Sequence, residues 1–485
     1  MLLVSLLATP IARASGLFAE ATASRDFLGV LDEDADQKAE KAQKALEKAM
    51  RDAEQGRYQD AHRRYQRLAR DFAETEAGQI AARRAQPSAF ICATDVVRNG
   101  PSENRVDVVF MGEGYTVKHQ KAWDKFAQDI PPYFERQKTL GEYYRYFNFI
   151  RANLISAEEG VDGYGRTYDT ALNGAMRDTY AGHVGVDRKR VFEMLDELPS
   201  HDGQAIVFVK RGKLGTGGGG VATIGGQNTK IAIHEFGHSF GRLGDEYAQE
   251  THKRDGVGTA PNVSATEDPE EVPWKHWLNL RGANVDIYEG AGGQERGAFK
   301  PTATGCVMSS SEFFCRVCRE HLVLRIYSHV DPIDSCSPAD MPYEMREFLV
   351  MRESSMKIEL TVLEPMDHKL EVQWWIVPED KAPQPARPMS AAERARYGNR
   401  GSNIGPRSAR GRLNNIPAEP HAKTFPGRGG LHVLNLRKSQ LEPGRYRVIA
   451  RAHDTTQMRG ERFPWVLQDV DELLWSERAW WVEVP

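Results

Sequence analysis

The groups best able to do chemistry in this sequence lie together in residues 231–247, IAIHEFGHSFGRLGDEY. His234 and His238 stand at i and i+4, one helical turn apart on one face, so both imidazoles reach a single ion. Glu235, beside the first histidine, falls where its carboxylate meets water held by that ion rather than the ion itself. Zinc lowers the pKa of such a water to about 7, and a carboxylate then takes its proton as hydroxide attacks a carbonyl. Setting charged and metal-binding groups on an otherwise apolar helix is costly without such a use. Gly241 lets the helix stop and the chain turn, after which Asp245 swings back as third ligand. Glu246 is the alternative third ligand, and Tyr247 either packs or hydrogen-bonds near the site. The expected cofactor is one catalytic Zn2+.

A second half of such a site is expected downstream, in Gly305-Cys306-Val307-Met308. Met308 would form an apolar base beneath the histidines without being a ligand; a plain core methionine is the alternative. Three of the five cysteines, Cys306, Cys315 and Cys318, lie within thirteen residues there, with Cys336 beyond and Cys92 far upstream. Cys315-x-x-Cys318-x-x-His321 reads as half of a structural metal site that Cys306 would complete. In an exported protein the preferred expectation is disulfides bracing the turn, whose pairing spacing alone does not specify.

These groups need a scaffold. Residues 105–111 (RVDVVFM), 149–155 and 205–210 read as buried strands, and a helix runs to about residue 129, where Pro131-Pro132 would end it. Strands alternating with helices predict an α/β (α+β) domain over 88–342. The glycine-rich stretch 214–226 lacks the G-K-[ST] ending of a phosphate loop. Its segment 221–226 is expected to edge the cleft, with glycines 217–220 either allowing close backbone approach there or forming a flexible surface loop.

Residues 27–86 carry apolar positions on one helical face on each side of Gly56 and predict a short all-α hairpin, resembling half of a tetratricopeptide repeat. The hairpin is expected to dock on the next domain, with a module that binds a protein partner or oligomerises as the alternative. Residues 345–485, with alternating strands at 356–363, 370–376, 431–436, 446–452 and 480–484, predict an all-β sandwich interrupted by a long loop at 381–430. The apolar start with Ala12-Arg13-Ala14 suggests a signal peptide over 1–14 lacking a basic n-region, and hence a secreted or periplasmic address. The 64 basic and 68 acidic residues leave a net charge of −4, which gives no reason to expect nucleic acid as a partner. No integral membrane span is expected.

The run H-E-x-x-H-x-x-G is similar to the metzincin pattern, whose third ligand falls at the position held here by Gly244, which has no side chain. HEFGHSFGRLGDEY, the upstream VDVVFMGEGYT and FNFIRANLISAEEGVD, and the downstream GCVM and FFCRVCRE together resemble the IgA-peptidase family of zinc metallopeptidases over about 104–340. The resemblance implies a metzincin-like fold with zinc on His234, His238 and Asp245, Glu235 as base and Met308 in a Met-turn. It does not imply immunoglobulin A as substrate, because nothing here resembles an antibody-recognition feature. The C-terminal segment looks like the β-sandwich that follows this catalytic domain, while the helical hairpin lies outside the resemblance. The expected activity is zinc-dependent endopeptidase cleavage of a protein or peptide substrate. The competing reading is a binding or scaffold protein with a vestigial zinc site, which has no need of Glu235.

Overall fold

The computed structural model describes residues 23–163, 165–176, 182–248, 258, 260–340, 345–385 and 413–485, with side chains from residue 35 onward. The leader expected over 1–14 lies outside them. Among the described residues no helix is long and apolar enough to cross a membrane. The chain divides into two compact units, residues 1–86 and 87–485.

In the first unit α1 (Ala23–Glu54) and α2 (Tyr58–Asp71) meet across Gly56, whose φ of +74° suits a residue without Cβ. Ala42, Leu46, Ala49 and Ala53 of α1 are buried, as are Tyr58, Ala61, Tyr65 and Leu68 of α2. A two-helix hairpin is too little, however. A third helix, α3 (Glu76–Arg84), buries Ala77 and Ala81, and is capped by the Thr75 hydroxyl accepting from Gly78 N–H. Its small residues give a weak apolar stripe, which is why the sequence did not announce it.

The second unit begins with a six-stranded sheet: β1 (Ala89–Val97), β2 (Val106–Glu113), β3 (Phe147–Ile155), β4 (Gln204–Val209), β5 (Thr216–Gly218) and β6 (Val221–Gly225). Their spatial order is β1-β3-β2-β4-β6-β5. The four inner strands are parallel, and β1 and β5 close the two edges antiparallel. Successive side chains alternate faces, so Val108 and Phe110 enter one core while Val109 and Met111 enter the other. Both faces are covered, which explains continuous apolar runs in place of alternation.

Three expectations need correction here. Pro131 does not merely end a helix: α4 (Gln120–Gln128) stops, and Pro131–Arg136 forms a new helix with proline in its first turn, where the missing N–H has no partner to lose. The edge of the sheet is β5, not residues 221–226, because β6 is hydrogen-bonded on both sides. The strand β7 (Ile333–Ser337) pairs with the C-terminal sheets, so their territory starts before residue 345.

Those sheets comprise β7, β8 (Phe348–Val350), β9 (Ser355–Val362), β10 (Glu371–Pro378), β11 (Ala422–Thr424), β12 (Leu431–Arg437), β13 (Gly444–His453) and β14 (Trp475–Val484). One has the order β7-β9-β12 and the other β8-β14-β13-β10-β11. Ile358, Leu360 and Leu434 from the first share a core with Trp374, Val448 and Trp480 from the second. Of the loop expected at 381–430, residues 386–412 lie outside the described residues; Gln384-Pro385 pairs with Leu413-Asn414, and β11 joins the larger sheet.

The core on one face of the six-stranded sheet continues into Leu363, Trp465 and Leu474, so that sheet and the C-terminal sheets are packed together. A buried polar cluster joins them as well. His368 bridges Glu142 Oε1 (2.6 Å) and Asp454 Oδ1 (2.7 Å), and the hydroxyls of Tyr143 and Tyr327 donate to Asp454 Oδ2 at 2.8 and 2.7 Å.

Candidate metal centre

Helix α5 (Thr229–Ser239) starts at Asn228, whose side-chain oxygen accepts from Ile231 N–H. Its apolar face is anchored by Phe236, which packs against Phe134 and Phe240 at ring separations of 5.2 and 4.9 Å. That docking turns His234 and His238 to the other side. Their Nε2 atoms lie 3.1 Å apart, and Asp245 Oδ1 lies 3.2 Å from His234 Nε2 and 3.1 Å from His238 Nε2. Asp245 Oδ1 makes no well-aligned hydrogen bond to either ring. Three acceptor-type atoms thus converge at near-equal spacing, close to the ~3.3 Å edge of a tetrahedron with metal–nitrogen bonds of about 2.0–2.1 Å.

The outer ring nitrogens are accounted for. His234 Nδ1 lies 2.9 Å from the Val307 carbonyl and His238 Nδ1 2.6 Å from the Leu243 carbonyl, so each Nδ1–H donates outward. This fixes the tautomer that presents a lone pair at Nε2. Burial disfavours charge on His234, but the carboxylates of Asp245 and Glu235 more than offset it and raise its pKa to about 9. Burial opposes charge on Asp245 too, yet the two histidines hold its carboxyl well below the usual range. The pocket attracts a cation, and the donor set of two imidazoles and one carboxylate suits zinc.

The chain reaches Asp245 by a route the sequence did not show. The left-handed residue after the helix is Arg242 (φ +53°), not Gly241. Gly241 is needed for space: a Cβ there would sit 2.6 Å from the Gly237 carbonyl oxygen and 2.8 Å from Leu322. At Gly244 a Cβ would meet Val263 at 2.6 Å, so the position used for a ligand in the metzincin pattern is closed here. Asn262 holds this bend by accepting from Gly244 N–H (2.7 Å) and donating to its carbonyl (2.9 Å).

Glu235 is buried, and burial raises its carboxyl pKa. Edge strand β5 passes close over it. A Cβ at Gly215 would lie 2.9 Å from Glu235 Oε1, and one at Gly217 3.0 Å from Oε2 and 2.9 Å from His238 Cβ. Tyr247 stacks its ring near His234, centroids 6.3 Å apart. Met308 is fully buried, and its Sδ would lie 2.6 Å from a Cβ at Gly237, between the two histidines. Gly237→Ala should therefore force Met308 aside and destabilise the protein by about 1–3 kcal/mol, the usual range for overpacking. Denaturant titration measures this; an unchanged midpoint would mean that Met308 is not wedged against the helix.

The remaining sequence candidates gather elsewhere. Cys306, Cys315 and Cys318 are buried together, and no disulfide joins them. Cys306 Sγ and Cys318 Sγ lie 3.7 Å apart, well beyond the ~2.05 Å of a disulfide, so the expected bracing disulfides are not formed. His321 does not join the cysteines; its half-buried ring lies near Arg325 and Arg242, where desolvation and those charges lower its pKa to about 3. Glu246 joins them instead, with Oε1 3.0 Å from Cys318 Sγ. The orienting carbonyls of Val307 and Leu243, the role of Asn262 and this place of Glu246 escaped sequence reasoning. Backbone acceptors leave no residue-type signal, and nothing in the order Asp245-Glu246 says that the two side chains lie in different clusters.

No curated protein is significantly similar in sequence to the chain. Residues 94–283 match the family model described as IgA Peptidase M64; that match contains the parallel strands, α5 and Asp245 and stops before Met308 and the cysteine cluster. Over this region the chain is similar to the IgA-peptidase family of metallopeptidases.

Proposed function

We propose that the protein is a zinc-dependent endopeptidase with a metzincin-like catalytic region, His234, His238 and Asp245 as ligands and Glu235 as general base. The observation that carries this reading is the convergence of His234 Nε2, His238 Nε2 and Asp245 Oδ1 at 3.1–3.2 Å beside a buried glutamate. The match of residues 94–283 to the IgA-peptidase family model supports a metallopeptidase. Zinc bound there would polarise the scissile carbonyl and acidify water. Glu235 takes the proton of the attacking water and delivers it to the leaving amine, a task suited to a carboxyl whose pKa burial has raised. Edge strand β5 would align an extended substrate by backbone pairing, which orients the scissile bond without demanding one sequence. Met308 beneath Gly237 supports the metzincin-like reading as the floor of the site. The N-terminal helices would serve a protein partner, and the apolar start with Ala12-Arg13-Ala14 supports export.

The test is a mixed peptide library incubated with the full chain. Cleavage should be lost on chelation and return with zinc, and His234→Ala should lose one equivalent of zinc by elemental analysis. Full retention of metal in His234→Ala would place the zinc elsewhere. Absence of cleavage by zinc-loaded wild type would favour the scaffold reading.

A further inference from the structure

We propose that Glu246, Cys306, Cys315 and Cys318 form a second metal site, a structural zinc centre of three thiolates and one carboxylate. Their ligand atoms all lie within 4.8 Å of one another, and all four residues are buried. The Cys306–Cys318 sulfur separation of 3.7 Å matches the ~3.8 Å expected between thiolates on tetrahedral zinc with bonds of about 2.3 Å. Glu246 Oε1 reaches two of the sulfurs, Cys318 at 3.0 Å and Cys315 at 3.4 Å.

The surroundings suit thiolates. Cys315 N–H donates to Cys306 Sγ at 3.3 Å, and Cys318 N–H donates to Cys315 Sγ at 3.4 Å. Cys315 is the N-cap of the twelve-residue helix α6 (Arg316–Tyr327), so its sulfur sits at the positive end of the helix dipole. The carboxylate is held from outside, with Asn262 Nδ2 donating to Oε1 and Thr302 Oγ1 to Oε2, each at 3.0 Å. Such outer bonds aim a ligand inward. Without a cation, a carboxylate is buried against three sulfurs with only neutral partners, which is an unfavourable arrangement. Zinc removes that cost and displaces the three thiol protons to solvent. A cleft of about 540 Å³ reaches Cys315, with Thr302, Gly305 and Phe314 in its wall, and gives the ion a way in.

This centre would brace the other one. Glu246 follows Asp245 directly, Glu246 N–H donates to the Met308 carbonyl at 2.8 Å, and Cys306 precedes Val307, whose carbonyl orients His234. One ion would pin the bend carrying Asp245, the turn carrying Met308 and the start of α6.

Purified full-length protein is expected to carry two zinc ions per chain, and Cys315→Ala/Cys318→Ala one. Cobalt exchange separates the two sites: wild type and His234→Ala should both show a thiolate-to-cobalt charge-transfer band, and the double cysteine variant should lose it. If that variant does not fold, the wild-type spectrum decides alone. Titration of denatured, chelated protein should find five free thiols. Five thiols with no charge-transfer band would reduce the cluster to a hydrogen-bonded core, and fewer than five would replace the ion with a disulfide. Failure of the catalytic reading would leave metal content unchanged in His234→Ala while the cobalt band persists.

Discussion

Glu235→Gln should lower peptide cleavage by roughly 10²–10⁴-fold, the usual contribution of a positioned general base, while leaving zinc content unchanged. The substitution keeps the shape of the side chain, which matters because β5 lies against it: at Gly215 and Gly217 there is no room for a Cβ beside the Glu235 carboxylate. It removes only the ability to accept and return a proton. Folding should be unharmed, since the carboxyl is buried and burial already disfavours its charge. The check is kcat/KM on a cleaved library peptide, alongside metal analysis and a denaturation midpoint. Wild-type turnover by Glu235→Gln would remove the residue from the mechanism. Loss of zinc together with turnover would make it a ligand or a support rather than a base.

The second large effect is on stability. His368→Leu should destabilise the 87–485 unit by about 3–5 kcal/mol, because it leaves the Glu142 and Asp454 carboxylates buried without their cation. Burial works against charge on His368, but its hydrogen bonds to Asp454 and Glu142 prevail and raise its pKa from 6.5 to about 9. A folded-state pKa raised in this way stabilises fully below the unfolded value and is lost as pH rises through the folded one. Wild-type stability should therefore decline between roughly pH 6.5 and 9 relative to His368→Leu, whose profile should lack that slope. Denaturant midpoints across this range measure it. A parallel pH dependence in the two proteins would show that His368 is neutral in the folded state.

Much of this protein is legible in its residue order because the governing interactions are local. The i, i+4 spacing of His234 and His238 puts both rings on one side of a helix whatever surrounds it. Runs such as VDVVFM admit few structures other than a strand buried on both faces. The helices flanking Gly56 follow from apolar residues at helical spacing. Where short-range logic was stretched further, it went astray. Gly241 reads as the turning residue, yet Arg242 takes the left-handed conformation, and Gly241 is glycine because Leu322 and the Gly237 carbonyl crowd it.

The division of labour between Asp245 and Glu246 marks where sequence ends and tertiary structure begins. Both are acidic, adjacent and downstream of the same helix, so either could serve as a third ligand on residue type alone. Contacts from distant segments set Asp245 beside the histidines and Glu246 beside the cysteines. Val263 closes the position of Gly244, Asn262 holds the bend, and Cys306 and Cys318 meet Glu246 from more than fifty residues away. The same holds for the cysteines, whose spacing equally suits a disulfide or a metal site; their fourth neighbour is contributed by a loop that no periodicity ties to them. Local order sets which side chains share a helix face, whereas the choice between chemically equivalent neighbours depends on what long-range packing brings against each one.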